Sequence, residues 1–90
     1  MGNSDRQDSL AEEELTRVSL QSRSLWDALR RPLGDRFESE QREAIVQAQR
    51  VSSGLGQQSD IAQRLAYHHH MMKRGQEINK GLLGLTHSNP

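Results

Sequence analysis

The sequence predicts a small, all-helical protein, and three observations support that prediction. Apolar residues recur at steps of three and four along three separate segments. Each segment opens with Ser or Asp followed three residues later by Glu or Gln, the pattern of an N-terminal capping box. No alternating run of β-branched residues, which would favour a strand, is present in the sequence. We therefore expect a three-helix, up-down-up bundle, or alternatively a helical hairpin with a loosely docked first helix.

The first predicted helix begins at Ser9, with Glu12 as its capping partner, and ends at Pro32. Proline lacks an amide hydrogen, and its ring collides with the carbonyl four residues before it, so we expect the helix to stop there. The apolar stripe consists of Ala11, Leu15, Val18, Ser22, Leu25 and Leu29, with Trp26 beside it. Leu20 lies away from this stripe and has no evident place in a core.

The second predicted helix begins at Asp35, with Glu38 as its capping partner, and ends at Gly54. We expect Gly54 to adopt the left-handed conformation that ends many helices. The segment 52–58 is rich in Gly and Ser and is predicted to be mobile. The stripe of this helix is short of large side chains: Phe37, Gln41, Ala44, Ile45, Ala48 and Val51.

The third predicted helix begins at Asp60, with Gln63 as its capping partner, and runs to Lys80, where Gly81 closes it. Gly75 lies inside this helix. A glycine there costs about 1 kcal/mol relative to alanine, so we expect either a weak point or a close contact with a neighbouring element.

Two apolar stripes run along the third helix, about a quarter of a turn apart. A helix that packs on one neighbour needs only one stripe, so the second stripe predicts a second neighbour, in this chain or in a partner chain. The first stripe, with His68 and His69 beside it, consists of Ile61, Leu65, Met72 and Leu83. Of these, Ile61, Leu65 and Met72 are expected to face the protein's own core. The second stripe is the predicted partner-binding surface, to which Leu20 is added: Tyr67, Met71, Ile78, Leu82 and Leu20.

Composition predicts a single domain over residues 9–83, between flexible ends at 1–8 and 84–90. Apolar residues make up 32% of the chain, below the usual value of about 45–50%. This indicates a small core that a second chain would complete. The sequence has no cysteine, which favours a reducing compartment such as the cytoplasm. It also has no run of about 18 apolar residues, so we expect no membrane-spanning segment.

The string Tyr67-His68-His69-His70 is the most conspicuous candidate for metal binding. A helix binds one ion through imidazoles four residues apart, whereas consecutive side chains point about 100° apart. No Asp, Glu or His stands four residues from any of these histidines, so we expect no metal site. The carboxylates of residues 12–14 and 38–43 are typical of helix starts and solvated faces. We therefore expect no catalytic residue, no cofactor and no small-molecule substrate.

The predicted function is that of a non-enzymatic helical protein–protein interaction module: an adaptor, a small assembly subunit or a chaperone-like partner. Its partner would be another protein chain, in a homo-oligomer or a hetero-complex. The alternative is a small nucleic-acid-binding regulator that uses a basic third helix, with Arg64, Lys73, Arg74 and Lys80. The excess of acids over bases in residues 1–45, ten against seven, opposes this alternative.

Overall fold

The computed structural model describes residues 2–56 and 59–87, with the side chains of residues 9–56 and 59–84. No strand and no helix able to cross a membrane occurs within these ranges. Helix α3 contacts both α1 and α2 extensively, while α1 and α2 make few contacts with each other. The prediction of an all-helical chain with bundle-like packing is therefore confirmed. The elements are helix α1 (Gly2–Leu33), a 3₁₀ turn (Gly34–Arg36), helix α2 (Phe37–Ser53) and helix α3 (Asp60–His87).

Both ends of α1 differ from the prediction. The helix begins at Gly2 instead of Ser9, so the capping box that begins at Ser9 is wrong. The helix ends at Leu33, one residue after Pro32, where the prediction had ended it. The chain leaves the helix at Gly34, whose φ is +55°. Glycine adopts this left-handed conformation without steric strain, since it has no Cβ.

The start and end of α2 also differ from the prediction. Asp35 lies inside the 3₁₀ turn, and the residue before α2 is Arg36, which makes no side-chain capping bond. Gly54 has a φ of −67° because its amide continues the helical hydrogen bonding to the carbonyl of Arg50, at 2.9 Å. The left-handed residue of this connection is Gly56, with a φ of +68°. Residues 57 and 58 of the predicted mobile loop lie outside the described residues.

Helix α3 is capped by Ser59, one residue before the predicted cap. The Ser59 hydroxyl accepts a hydrogen bond from the amide of Ala62 at 3.1 Å, as an N-cap residue does. The side chain of Gln63 donates to the carbonyl of Gly56 instead of returning to the cap. The helix also continues through Gly81 to His87, and Leu82 packs against the core just after the glycine.

The predicted flexible ends fall partly within these helices. The backbone of residues 2–8 belongs to α1, and that of residues 84–87 belongs to α3. Residues 1 and 88–90 lie outside the described residues. The helical segment is therefore longer than the predicted domain 9–83 at both ends.

The core lies where α3 packs against the second half of α1 and the first half of α2. The Trp26 and Phe37 rings meet edge to face, with their centroids 6.3 Å apart. The guanidinium of Arg30 stands 4.5 Å from the centroid of the Phe37 ring, where a cation is favoured. These contacts join α1 to α2 next to the turn that connects them. The buried side chains of the core are Trp26, Leu29, Leu33, Phe37, Ala44, Ala48, Met71 and Ile78.

Helices α1 and α3 approach each other closely at Gly75. A Cβ built on Gly75 would lie 2.7 Å from Cδ2 of Leu25 and 3.3 Å from Nε1 of Trp26. Real Cβ atoms essentially never come as close as the first of these distances, so the Leu25 side chain would have to shift to admit any residue larger than glycine here. Of the two alternatives predicted for Gly75, a weak point or a close contact, the structure shows the close contact.

Candidate interaction surface

The predicted partner-binding stripe of α3 faces the protein's own core. Met71 and Ile78 are 5% and 8% exposed, and Tyr67 and Leu82 are half-buried against the same core. Leu83, which belongs to the other stripe, is 49% exposed. The predicted orientation of α3 is therefore wrong. The reason is that Gly75 belongs to the same stripe as Met71 and Ile78, so this side of α3 is the one that allows α1 to approach.

The remaining residues of the predicted core stripe, Ile61, Leu65 and Met72, are only half-buried. Their side chains lie at the edge of the bundle instead of in its centre. Thus neither stripe of α3 is fully exposed, and neither offers a broad apolar surface to a partner.

Leu20 is the one predicted partner residue that the structure places on the surface, with 57% of its side chain area exposed. It borders two shallow depressions that meet along α1. The first is formed by α1 alone, between Leu20 and the acidic residues Glu12 and Glu13. The second lies between α1 and α3 and includes Arg64 and His68. An apolar side chain at this junction is available to another molecule.

A cleft of about 190 Å³ continues from the second depression into the middle of the bundle. The cleft exists because α1 and α2 make few contacts with each other. The gap between them leaves part of α3 uncovered. Ser19 and His68 line both the cleft and the Leu20 depression, which makes the surface continuous. Paired residues from each helix line the cleft: Ser22 and Trp26 of α1, Gln41 and Ile45 of α2, and Tyr67 and Met71 of α3.

We call this continuous surface the Leu20 face. It is defined by the residues that border the two depressions and the mouth of the cleft: Glu12, Glu13, Thr16, Leu20, Arg23, Ile45, Arg64, Tyr67 and His68.

Charges on the Leu20 face are separated along α1. Three charged residues on or beside the face already form ion pairs. They are Arg17 with Glu14, Asp27 with Arg30 at 3.6 Å, and Arg64 with Asp60 at 3.1 Å. These pairs are exposed and contribute little to stability, but each is locally neutral. Within the part of the chain that the structure describes, Glu12, Glu13 and Arg23 form no ion pair. The face therefore has an acidic end and a basic end, with Leu20 between them.

His68 lies at the basic end of the face. Its ring meets that of Tyr67 edge to face, with the centroids 5.1 Å apart. Burial lowers the pKa of the His68 imidazole, and the nearby Arg23 and His69 lower it further. Since the ordinary value is about 6.5, His68 is neutral at pH 7. Among the described residues, no group of three or more His, Cys, Asp or Glu is placed to hold a metal ion.

The basic residues of α3 do not form one continuous patch of free charge. Arg64 pairs with Asp60, and Arg74 pairs with Glu40 of α2 at 3.4 Å. Lys73 and Lys80 are exposed. Two of the four basic side chains considered for nucleic-acid binding are thus neutralised by carboxylates.

The cleft was not predicted from the sequence, although two polar residues on the apolar stripes pointed to it. Ser22 and Gln41 occupy positions on the apolar stripes of α1 and α2, and both line the cleft. Polar residues at facing core positions are the signal of a gap between two helices, because they fill space less well than large apolar side chains. Their pairing across the bundle depends on the register of α1 and α2, which the sequence does not specify.

Comparison of the chain with protein-family models, with curated proteins and with solved structures gave no match. The function proposed below therefore rests on the residues of the Leu20 face.

Proposed function

We propose that the protein is a non-enzymatic helical protein–protein interaction module and that its partner docks on the Leu20 face. The observation that carries this proposal is the continuity between the exposed Leu20 and the open cleft of the bundle. Single exposed apolar residues are common on protein surfaces and need no explanation. Leu20 differs because the surface beside it continues, through Ser19 and His68, into the cleft that Ile45 and Tyr67 line. A module of this kind would act as an adaptor, a small assembly subunit or a chaperone-like partner.

We interpret the packing as a three-helix, up-down-up bundle rather than a hairpin with a loosely docked first helix. Residues later in α1 contact residues later in α3: Leu20 lies beside Arg64, and Leu25 lies beside Gly75. This order is expected of parallel helices. The contacts of α2 with α3 run in opposite order, from Glu40 beside Arg74 to Ile45 beside Tyr67. The close approach at Gly75 supports a tightly docked α1.

The size of the cleft supports a protein partner over a small-molecule substrate. Ligand pockets usually enclose about 300–1,000 Å³, whereas this cleft has about 190 Å³. That volume suits one apolar side chain of a partner helix. The depression beside Leu20 and Glu12 is larger, but one helix lines it and it cannot enclose a ligand. A partner helix lying along α1 would bury Leu20 and place an anchor side chain in the cleft.

Two further features bear on the setting and on the alternative function. The lack of cysteine supports a reducing compartment such as the cytoplasm. The alternative, a nucleic-acid-binding regulator, has less support because Arg64 and Arg74 are paired with carboxylates. That alternative predicts binding to generic DNA or RNA that weakens steeply with salt.

Site-specific photo-crosslinking tests the proposal. The photoreactive residue benzoylphenylalanine is placed at Leu20 of the full chain, in the cells that produce it. The matched control is Leu10, which lies on the same helix and is equally exposed, 58% against 57%, but points about 80° away. We expect a protein adduct from position 20 and none from position 10. Adducts from both positions, or from neither, would mean that the Leu20 face is not a specific docking surface.

A further inference from the structure

We propose that the occupant of the Leu20 face is a second copy of this chain, docked with its α1 antiparallel to the first. This inference rests on the proposed function, because it names the partner of the same surface. It is drawn from the separation of charge along α1, which makes the face complementary to itself when one copy is turned end to end.

Glu12 and Arg23 lie on the same side of α1. They are eleven residues apart, which is close to three helical turns, so their side chains differ in direction by about 20° and are separated by about 16 Å along the axis. Thr16 and Leu20 lie between them on the outer surface. Counted from Glu12, Thr16 lies about 40° and Leu20 about 80° around the axis, so the four side chains cover a sector of about 80°, in the chain order acid, small polar residue, leucine and base.

The charges nearby do not cancel this pattern. Arg17, a base midway between the two ends, is already bonded to Glu14. Asp27, an acid near the basic end, is paired with Arg30. At the acidic end Glu13 adds a second carboxylate. Arg64 of α3, beside Leu15 and Leu20, is already paired with Asp60 and adds no free charge.

An antiparallel two-fold arrangement places the acidic end of each copy against the basic end of the other. With the axis midway between Glu12 and Arg23, at the level of Arg17 and Val18, Glu12 of each copy faces Arg23 of the other. In the same arrangement Leu20 of each copy lies level with Leu15 of the other and next to its Thr16, whose small side chain leaves room for the leucine. A two-fold interface repeats every contact, so each ion pair and each leucine contact occurs twice.

A parallel arrangement is disfavoured by the same charges. It would place Glu12 against Glu12 and Arg23 against Arg23, and like charges held across an interface are repulsive. The antiparallel arrangement is therefore the one that the distribution of charge selects.

Charge reversal in the purified full chain tests this inference by sedimentation equilibrium over a range of concentrations. Glu12→Arg and Arg23→Glu are each expected to weaken self-association at least about tenfold, because each places like charges together twice. A mixture of the two variants is expected to form heterodimers, and a chain that carries both changes is expected to dimerise again. Glu77→Arg and Lys80→Glu, on exposed positions of α3 outside the face, serve as controls and leave association unchanged. Circular dichroism establishes that every variant is helical.

The outcomes separate this inference from the proposed function. If the chain remains monomeric at all concentrations while photo-crosslinking at Leu20 captures a different protein, the second copy is excluded and the interaction module stands. If the chain dimerises and Leu20→Glu abolishes the dimer, but charge reversal has no effect, the antiparallel arrangement is wrong. If the chain dimerises and Leu20→Glu has no effect, both the inference and the assignment of the Leu20 face are wrong.

Discussion

The indole nitrogen of Trp26 donates a hydrogen bond to the main-chain carbonyl of Met71, at 2.9 Å, and so joins α1 to α3 inside the core. In an α-helix this carbonyl also accepts the amide four residues later, which here is that of Gly75. The indole reaches the carbonyl because Gly75 has no side chain in its way, as the 3.3 Å between a Cβ at that position and Nε1 indicates. The fit of α1 against α3 thus depends on one hydrogen bond and one glycine together.

Replacing the glycine tests this dependence. Gly75→Ala is expected to lower the free energy of unfolding by about 1 kcal/mol, because the overpacking penalty of about 1–3 kcal/mol exceeds the gain in helix propensity. Gly81→Ala is the matched control, since a Cβ there meets nothing within 4 Å. It is expected to stabilise the chain by up to about 1 kcal/mol. Urea unfolding followed by circular dichroism measures both, and equal stabilisation by the two variants would contradict the close approach at Gly75.

The hydrogen bond itself is tested by Trp26→Phe. This variant keeps an aromatic ring but removes the indole N–H and leaves space beside Met71. We expect a loss of about 2–3 kcal/mol in the free energy of unfolding, from the lost hydrogen bond and the reduced packing. Since Trp26 is the only tryptophan, unfolding is followed by circular dichroism instead of fluorescence. A change below about 0.5 kcal/mol, the range of an ordinary surface substitution, would show that the bond contributes little.

The orientation of α3 is tested by placing a charge on each of its two sides. Met71→Glu is expected to unfold the chain, because an unpaired carboxylate in the core costs several kcal/mol and a domain of this size has a small margin of stability. Leu83→Glu is expected to leave helicity unchanged, because that side chain is exposed. The helical circular dichroism signal at 222 nm distinguishes the two. The opposite result would restore the orientation that the sequence had predicted.

His68 makes the stability of the fold depend on pH. Burial, followed by Arg23 and His69, lowers the pKa of its imidazole in the folded chain, so the unfolded chain takes up this proton first as the pH falls. The free energy of unfolding therefore decreases as the pH drops through about 6.5, the ordinary histidine value, towards the lowered pKa. Urea unfolding at a series of pH values measures this decrease. His68→Gln is expected to reduce it, whereas His69→Gln, at an exposed position, is the control and should leave most of it in place.

The presence of three helical segments and the inward face of α1 could be predicted from the sequence. Helix formation and the direction of a side chain around the axis depend on spacing within a few residues, so the steps of three and four identified Val18, Ser22 and Leu29 as inward-facing. The structure buries all three. The close contact at Gly75 was predicted for a related reason, since a glycine within a helix is unfavourable unless something packs against it.

The helix ends could not be predicted from the same local patterns. Ser9, Asp35 and Asp60 each stand at the head of a sequence that resembles a capping box, but none of them is the cap in the folded chain. Where a helix stops depends on where the chain must turn to bring its neighbours together. In the structure the two turns occur at Gly34 and Gly56, the glycines with positive φ.

Only the tertiary structure decided which stripe of α3 faces inward and which surface remains open. Both stripes have similar hydrophobicity and helical spacing, so their periodicity does not distinguish them. The close approach of Leu25 to Gly75 selects the stripe of Met71 and Ile78, because large side chains at the facing position would hold α1 away. The same packing separates α1 from α2 and leaves the cleft beside Leu20 uncovered. The sequence alone determined which residues lie on each helical face, whereas the distances between backbones determined which face is buried.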